Sequence, residues 1–342
     1  MKRWRQMAAG GAAVTALATL LLWRGCAYLD RPAGGSAVTS LRVERGATLK
    51  PLLDRLAADG VLERPRWLYW YARLLGVRDI RAGEYEVAAS QTPRQILGML
   101  REGRIRLESL VIPEGFNRWQ VRELFAREGW LEPAAFDRLC DSGAFLSEHG
   151  IPGPTCEGYL FPETYRFARG AAAQDLFAAL FAKYRQVYAQ TTARGRGPLD
   201  LGERELVTLA SIIEKETGAP DERPRIACLF YNRLRAQPAW RLETDPTVIY
   251  AATLADSNFD GNLKRSHLRE LNSPYNTYRV FGLPPGPIAN PGLAALRSVV
   301  EPAECRDFFF VSMNNGRHEF CPDLACHNRA VAKWQINYFK RR

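Results

Sequence analysis

A Glu-Lys-Glu triplet, Glu214 to Glu216, ends a segment whose apolar residues recur at spacings of three, four and seven. This periodicity predicts a helix with one apolar face, formed by Leu206, Leu209, Ala210 and Ile213. At about 100° per residue, Glu214 lies on one shoulder of that face and Glu216 on the other. A carboxyl group beside an apolar stripe loses hydration, which raises its pKa and suits it to general acid catalysis. The alternative is a solvated helix end held by salt bridges.

Three further stretches are dense in glycine, proline, aromatic and polar residues. They cover residues 156–165, residues 243–250, and residues 273–278 with 282–288. Segments of this composition usually form shaped loops rather than core, and such loops often line functional sites. We therefore expect these stretches to line a functional site.

Seven motifs follow one another in a fixed order between residues 157 and 320. They read EGYLFPETY, ASIIEKETG, FYNRL, LETDPTVIYA, SPYNTYRVFGLPPGPIANPGLAAL, FFFVS and GRHEF. This ordered series resembles the signature of the endolytic murein transglycosylase family (MltG/YceG-like). The resemblance implies that Glu214, in SIIEKET, is the catalytic acid and base.

By the same resemblance, the expected reaction is cleavage of the β-1,4 bond between N-acetylmuramic acid and N-acetylglucosamine within nascent glycan strands of peptidoglycan. It leaves 1,6-anhydromuramyl ends, ends strand elongation and consumes no water. One carboxyl suffices because the attacking hydroxyl belongs to the substrate, whereas glycosidases use two carboxylates. No cofactor or metal is expected. A non-catalytic, membrane-anchored peptidoglycan-binding scaffold is the alternative function.

An oxocarbenium-like transition state also calls for residues that position the sugar. The candidates for substrate binding are Glu157, Glu163, Asp245, Tyr275 and Asn276. Helix caps, turn formers and buried hydrogen-bond partners are the alternative interpretation of all five. Glu243 stands where the family usually has glutamine, so an added negative charge near the site is expected to raise the pKa of the acid further.

The N-terminus is typical of a membrane anchor. Lys2, Arg3 and Arg5 precede an uncharged run from Gln6 to Trp23, which as a helix reaches about 27 Å and so nearly spans a hydrocarbon core. The preceding basic cluster predicts a single-pass protein of the inner (cytoplasmic) membrane, with its N-terminus in the cytoplasm and its body in the periplasm. A cleaved signal peptide ending at residues 25–27 and a lipoprotein site at Gly25-Cys26 remain alternatives. All three export the body.

The predicted fold class is α+β, with an N-terminal transmembrane helix, a small LysM-like αβ module and a larger α+β catalytic domain. A generic small αβ packing domain is the alternative interpretation of the module. The expected boundaries are residues 1–30 for the cytoplasmic tail and anchor, 31–40 for a linker, 41–106 for the LysM-like module and 107–342 for the YceG-like catalytic domain. Within the module we predict a strand at 41–43, helices after residues 48 and 60, a strand at 81–87 and a helix beginning at Thr92-Pro93. Further on, the pattern predicts a strand from Leu107 and helices over 118–128, 133–140 and 172–192.

The net charge of +10 is spread along the chain. No basic helix or RNA-binding signature concentrates it, so nucleic acid is not an expected partner. For an exported protein, anionic lipid or an acidic wall polymer is a better partner for the positive charge. A basic surface that is merely solvated and binds no partner is an equal alternative. The resemblance adds peptidoglycan synthases as partners.

Seven cysteines in an exported chain permit disulfides and leave one unpaired, for which Cys26 is the obvious candidate. A Cys321–Cys326 bridge and a Cys140–Cys156 bridge are plausible. A zinc site formed by His318, Cys321, Cys326 and His327 is the alternative for the C-terminal pair.

Overall fold

The structure, a computed structural model, describes residue 19 and residues 23–32, 38–44, 46–77 and 80–336. Most of the anchor predicted at Gln6 to Trp23 therefore lies outside the described residues. Across the described ranges, no helix has both the length and the apolar character needed to cross a membrane. Residues 23–29 are helical and precede the first strand.

The chain divides into two compact units. Unit 1 comprises Met1–Ser109 with Arg166–Ala171, and unit 2 comprises Leu110–Tyr165 with Ala172–Arg342. Helices and short antiparallel strand pairs occur together, so the predicted α+β class is confirmed.

Unit 1 contains an antiparallel pair, β1 (Val38–Val43) and β2 (Gly83–Ala88), in which Leu41 faces Tyr85. Its helices are α1 (Leu49–Ala58), α2 (Pro65–Leu74) and α3 (Pro93–Glu102). Alternating strand residues and one face of each helix form a single buried core. The predicted elements are confirmed, but β1 begins at Val38 rather than at residue 41, and β2 runs from Gly83 to Ala88 rather than from residue 81 to 87.

The start of α3 shows why Thr92-Pro93 was a reliable signal for the beginning of a helix. The Thr92 side chain accepts a hydrogen bond from the Gln95 amide, and the Gln95 side chain accepts one from the Thr92 amide. Pro93 follows at the first helical position, where its missing N–H costs nothing. This capping box fixes where the helix begins.

The chain passes between the units within β3 (Leu107–Val111) and β4 (Thr164–Ala168), which pair with each other. The helices of unit 2 are α4 (Arg118–Arg127), α5 (Pro133–Cys140), α6 (Gly143–Glu148), α7 (Ala173–Thr192), α8 (Glu203–Glu216), α9 (Arg223–Arg235), α10 (Asp245–Ala255), α11 (Arg265–Glu270), α12 (Leu293–Val300) and α13 (Leu324–Val331). The antiparallel hairpin β5 (Phe309–Ser312) and β6 (His318–Cys321) precedes α13. A short 3-10 turn lies at Pro220–Glu222.

Two packed groups give unit 2 its core. Phe125, Phe136 and Phe177 meet edge to face or tilted, with ring centroids 5.0–6.4 Å apart, which joins α4, α5 and α7. Helix α8 is buried along its apolar face and packs against α9 and α12. This second group holds the end of α8 in a fixed place.

Three disulfides cross-link unit 2. The predicted bridges Cys140–Cys156 and Cys321–Cys326 are confirmed, and Cys26 is free and exposed, as expected. A third bridge, Cys228–Cys305, was not foreseen, because its cysteines are 77 residues apart in sequence.

The zinc alternative is wrong, since both of its cysteines are oxidised in one disulfide. His318 Nδ1 instead lies 2.8 Å from a carboxylate oxygen of Glu222, and the His327 ring packs on Phe309. Among the described residues, no group of His, Cys, Asp and Glu is placed to hold a metal.

Candidate active site

Helix α8 positions Glu214 in its last turn. Leu206, Leu209, Ala210 and Ile213 are fully buried, as the periodicity predicts. The helix ends at Glu216 because Thr217 turns to an extended conformation before Gly218. The Glu214 side chain is only 5% exposed, so its carboxyl group lies in a largely dry environment beside the apolar face.

Both carboxylate oxygens of Glu214 have a partner. Nη2 of Arg223, at the start of α9, donates to Oε1 over 2.6 Å, and the Gly292 amide donates to Oε2 over 3.0 Å. The Arg223 side chain is itself 7% exposed. A hydrogen bond between a buried guanidinium and a buried carboxylate is charge-assisted and strong. It therefore stabilises the ionised form of Glu214.

The pKa of Glu214 is raised above its ordinary value, and burial is the main cause. The Gly292 amide and the Arg223 charge oppose this rise, whereas the negative charge of Glu114 adds to it. Glu114 approaches the same guanidinium, with Oε2 3.7 Å from Nη2 of Arg223. Glu214 can therefore hold a proton at higher pH than an exposed glutamate and still find a cation beside it once the proton leaves.

Two glycine-containing turns close around the end of α8. A Cβ at position 292 would overlap the Glu114 carboxyl, so a larger residue there would force the Glu114 side chain to move. Gly115 adopts φ 73°, a left-handed conformation that favours glycine, and its carbonyl accepts a hydrogen bond from Lys215 Nζ over 3.2 Å. The segments around residues 115 and 292 thus both contact the catalytic helix.

Asn290 joins these turns to the first motif. Its backbone bonds to Gly115 and Phe116, and its side-chain amide donates to the Phe116 carbonyl over 2.7 Å. Its Oδ1 accepts from the Leu160 amide over 2.9 Å. Three separate parts of the sequence are therefore held together by one buried side chain.

Glu157 lies in a second group, with the aromatic residues Tyr250, Tyr275 and Trp119. Its two oxygens accept from the Arg118 amide at 3.1 Å, and Tyr250 donates to it over 3.2 Å. The Tyr250 ring lies 5.0 Å from Tyr275 and 5.3 Å from Trp119. Burial raises the pKa of Glu157 to about 7.

Asp245 lies in a third group, with Glu216 and Tyr278. The Tyr278 hydroxyl donates to Asp245 over 2.7 Å. Burial, and then the charge of Asp245, raises the pKa of Glu216 to about 8. Its Oε1 is buried without a hydrogen-bond partner among the described residues. The segment at 243–250 is not a loop throughout, because Asp245-Pro246 begins α10.

Glu163 and Asn276 make contacts of a structural kind. Glu163 is exposed; it accepts from the Thr164 amide, whose hydrogen bond lowers its pKa, and pairs with Lys183 at 3.2 Å. Asn276 is fully buried and donates to the carbonyls of His267, Leu268 and Leu271, which caps α11. The structure thus separates the five predicted binding residues into several environments.

The direct neighbours of Glu214 were not singled out from sequence. The three neighbours, Arg223, Glu114 and Gly292, come from three separate segments. The nearby negative charge that raises the pKa of Glu214 is that of Glu114. Glu243 instead faces Arg233 and Tyr278. The Pro-Glu-Gly and Asn-Pro-Gly turns were the available signals for two of these neighbours, whereas nothing local marks Arg223.

Comparison with known proteins identifies the family to which the sequence is similar. The model of the YceG-like family matches residues 41–333. The endolytic murein transglycosylase of Bacillus subtilis is 28% identical over an alignment of 312 residues that covers 86% of this chain and 84% of that protein. The protein of the same name from Streptococcus pneumoniae is 26% identical over 332 residues, covering 88% of this chain but 59% of that longer protein.

A solved structure agrees. The crystal structure of a yceG-like protein from Listeria monocytogenes superposes with a TM-score of 0.53 at 27% identity, covering 86% of this chain and 99% of that chain. Since the family model matches most of the sequence, the chain belongs to the YceG-like family.

Proposed function

We propose that the chain is an endolytic murein lytic transglycosylase, a carbon–oxygen lyase that cuts the β-1,4 bond after N-acetylmuramic acid inside peptidoglycan strands. The names of its relatives support this activity. The observation that carries the assignment to Glu214 is its environment: the side chain is 5% exposed, and its carboxyl group lies 2.6 Å from the guanidinium of the buried Arg223.

In the first step, the protonated Glu214 carboxyl donates its proton to the bridging oxygen while the muramyl C1–O bond breaks. The raised pKa of Glu214 keeps this proton available. The positive charge that develops on the sugar is matched by the carboxylate that Glu214 becomes. Arg223 and the Gly292 amide are in place to stabilise that carboxylate without rearrangement.

In the second step, the Glu214 carboxylate takes the proton of the muramyl 6-hydroxyl while that oxygen bonds to C1. Glu214 returns to its protonated form, and the strand ends in a 1,6-anhydro ring. Every proton is accounted for by one carboxyl group. Neither Glu157 nor Glu216 is needed as a second catalytic carboxylate.

Residues 41–106 are proposed to form a LysM-like glycan-binding module. Its β1-α1-α2-β2 order and the 67% exposed Trp70 on α2 support a surface that packs against sugar rings. Residues 107–342 would then be the catalytic domain. The linker predicted at residues 31–40 would end earlier, because β1 of the module begins at Val38.

Residues 1–30 are proposed to anchor the chain in the inner membrane, with the body in the periplasm. The basic cluster at residues 2–5 and the uncharged run after it support this topology. An anchored enzyme would stay near the synthases that make its substrate, which supports the further proposal that it partners them.

The experiment is a digest of purified glycan strands by the unaltered chain, Glu214→Gln and the control Glu148→Gln, with the new ends identified by mass spectrometry. Glu148 is an exposed glutamate of α6. We expect anhydromuramyl ends from the unaltered chain and the control, and a loss of at least about 10³-fold in Glu214→Gln. Reducing ends, or full activity in Glu214→Gln, would overturn the proposal.

A further inference from the structure

Unit 2 has a concave surface that includes none of the residues in direct contact with Glu214. This pocket of about 490 Å³ is formed by the α9–α10 connection, residues 236–241 with Glu243, and by Phe281 and Phe308. Phe281 belongs to one of the seven motifs, but the reaction steps at Glu214 do not use it.

The pocket has aromatic walls. Phe281 is 56% exposed, and the Trp240 ring lies 5.1 Å from Phe308 in a tilted stack. Ligand pockets are typically lined by aromatic side chains with a few placed polar groups. The C–H face of a sugar ring would cover such a surface and remove apolar area from water.

Arg241 and Glu243 are the charged residues of the pocket lining, and the charge of Glu243 faces Arg233, which leaves Arg241 to bind an anionic group. The Arg241 guanidinium lies 4.6 Å from the Phe281 ring centroid, and its Nε is buried without a hydrogen-bond partner in the described part of the chain. Arg241 also forms no ion pair within those residues. A guanidinium without an ion pair is suited to bind a carboxylate through parallel hydrogen bonds from its two terminal nitrogens.

The pocket is connected to the catalytic helix through Arg233. Its side chain donates to the carbonyls of Phe308 and Leu242 on the pocket side. Its charge also faces Glu216, which ends α8 two residues after Glu214. The pocket therefore lies on the Glu216 side of that helix end.

We propose that this pocket is a glycan subsite that binds a muramyl unit of the strand remote from the bond being cut. Trp240 and Phe281 pack on the sugar ring, and Arg241 binds the carboxylate of its substituent. This subsite rests on the proposed function, since it assumes a peptidoglycan strand as the ligand.

The carboxylate identifies the muramyl unit. N-acetylglucosamine carries none, whereas the lactyl group of N-acetylmuramic acid ends either in its own carboxylate or in a stem peptide that bears carboxylates. Both sources present the same chemistry to Arg241. Denuded and stem-bearing strands distinguish them.

The test measures binding by calorimetry in the full chain carrying Glu214→Gln, so that strands are not cut. The ligands are denuded strands, stem-bearing strands and a chito-oligosaccharide, which has no carboxylate. We expect Phe281→Ala to weaken binding of all three by about tenfold. The matched control is Leu254→Ala, which truncates another exposed apolar residue.

Arg241→Gln is expected to weaken binding of carboxylate-bearing strands by about tenfold and to leave the chito-oligosaccharide within about twofold. If only stem-bearing strands lose affinity, the ligand of Arg241 is the stem carboxylate, and a loss with denuded strands assigns the lactyl carboxylate. If Arg241→Gln does not fold, Arg241→Lys takes its place. Lysine keeps the charge but cannot form two parallel hydrogen bonds, so binding of the same strands should weaken.

Equal losses on all three ligands in the Arg241 variant, or no difference between Phe281→Ala and Leu254→Ala, would overturn the subsite. If the unaltered chain makes anhydromuramyl ends while these variants bind normally, the subsite alone fails. If the variants lose binding but the unaltered chain makes no anhydromuramyl ends, the proposed function fails and the subsite stands.

Discussion

Glu214 and Glu157 are both buried glutamates with raised pKa values, yet their surroundings differ. Glu214 has the Arg223 guanidinium at 2.6 Å, whereas Glu157 accepts hydrogen bonds from the Arg118 and Gly158 amides and the Tyr250 hydroxyl, and forms no ion pair among the described residues. A raised pKa alone therefore does not identify an acid and base. The group must also be stable as a carboxylate, and a neighbouring cation provides that stability.

The largest effect that would test this comparison is expected from Arg223→Met. Without the cation, the carboxylate formed in the first step would be buried and poorly paired, so we expect cutting to fall by about 10²-fold or more. The pKa of Glu214 should rise further, so the alkaline limb of kcat/KM should move to higher pH. Initial rates between pH 5 and 9 measure both.

Arg269→Met is the control for this variant, because Arg269 is an exposed residue of α11. An Arg223→Met enzyme with the rate and pH profile of this control would mean that the guanidinium does not act on Glu214.

A smaller effect is expected on stability in Glu157→Gln. The folded-state pKa of Glu157, about 7, exceeds its unfolded value, so folding is favoured at low pH and this contribution is lost as pH rises through 7. The amide mimics the protonated acid, so the variant should be more stable than the parent above pH 7, by up to about 3 kcal/mol. Denaturant titrations at pH 5 and 9 measure this difference.

Glu157→Gln should also keep kcat within about threefold of the parent value at pH 6, since no proton transfer is assigned to it, and a role in substrate binding would raise KM instead. A loss as large as that of Glu214→Gln would remove the distinction between the two carboxyl groups.

The smallest effect is expected from Glu114→Gln. It removes a negative charge that raises the pKa of Glu214, so that pKa should fall and the alkaline limb of kcat/KM should move to lower pH. This direction is opposite to that of Arg223→Met. Matched pH profiles of the two variants, with Glu148→Gln as the control, measure the signs. Shifts in the same direction would contradict the electrostatic account of the site.

Local patterns in the sequence predicted local structure well. Thr92-Pro93 marked the start of α3, and the 3-4-7 spacing placed Glu214 beside a buried helix face, because caps and periodicity act over a few residues. The motif series predicted the family, which the comparisons confirm. The segment at residues 243–250 was misinterpreted as loop, because Asp245-Pro246 begins α10.

The partners of Glu214 could not be predicted in this way. Arg223 is 9 residues away across a 3-10 turn, and Gly292 is 78 residues away. The Cys228–Cys305 bridge spans 77 residues. Such contacts depend on how helices pack, which no short pattern of residue types records.

The central claim is that one carboxyl group first gives a proton and then takes one from the substrate's own hydroxyl, so that water takes no part. Digestion of strands in water enriched in heavy oxygen tests this claim most directly. We predict new muramyl ends that carry no heavy oxygen and weigh one water less than reducing ends. Heavy oxygen at C1 of the new ends would show hydrolysis and contradict the account.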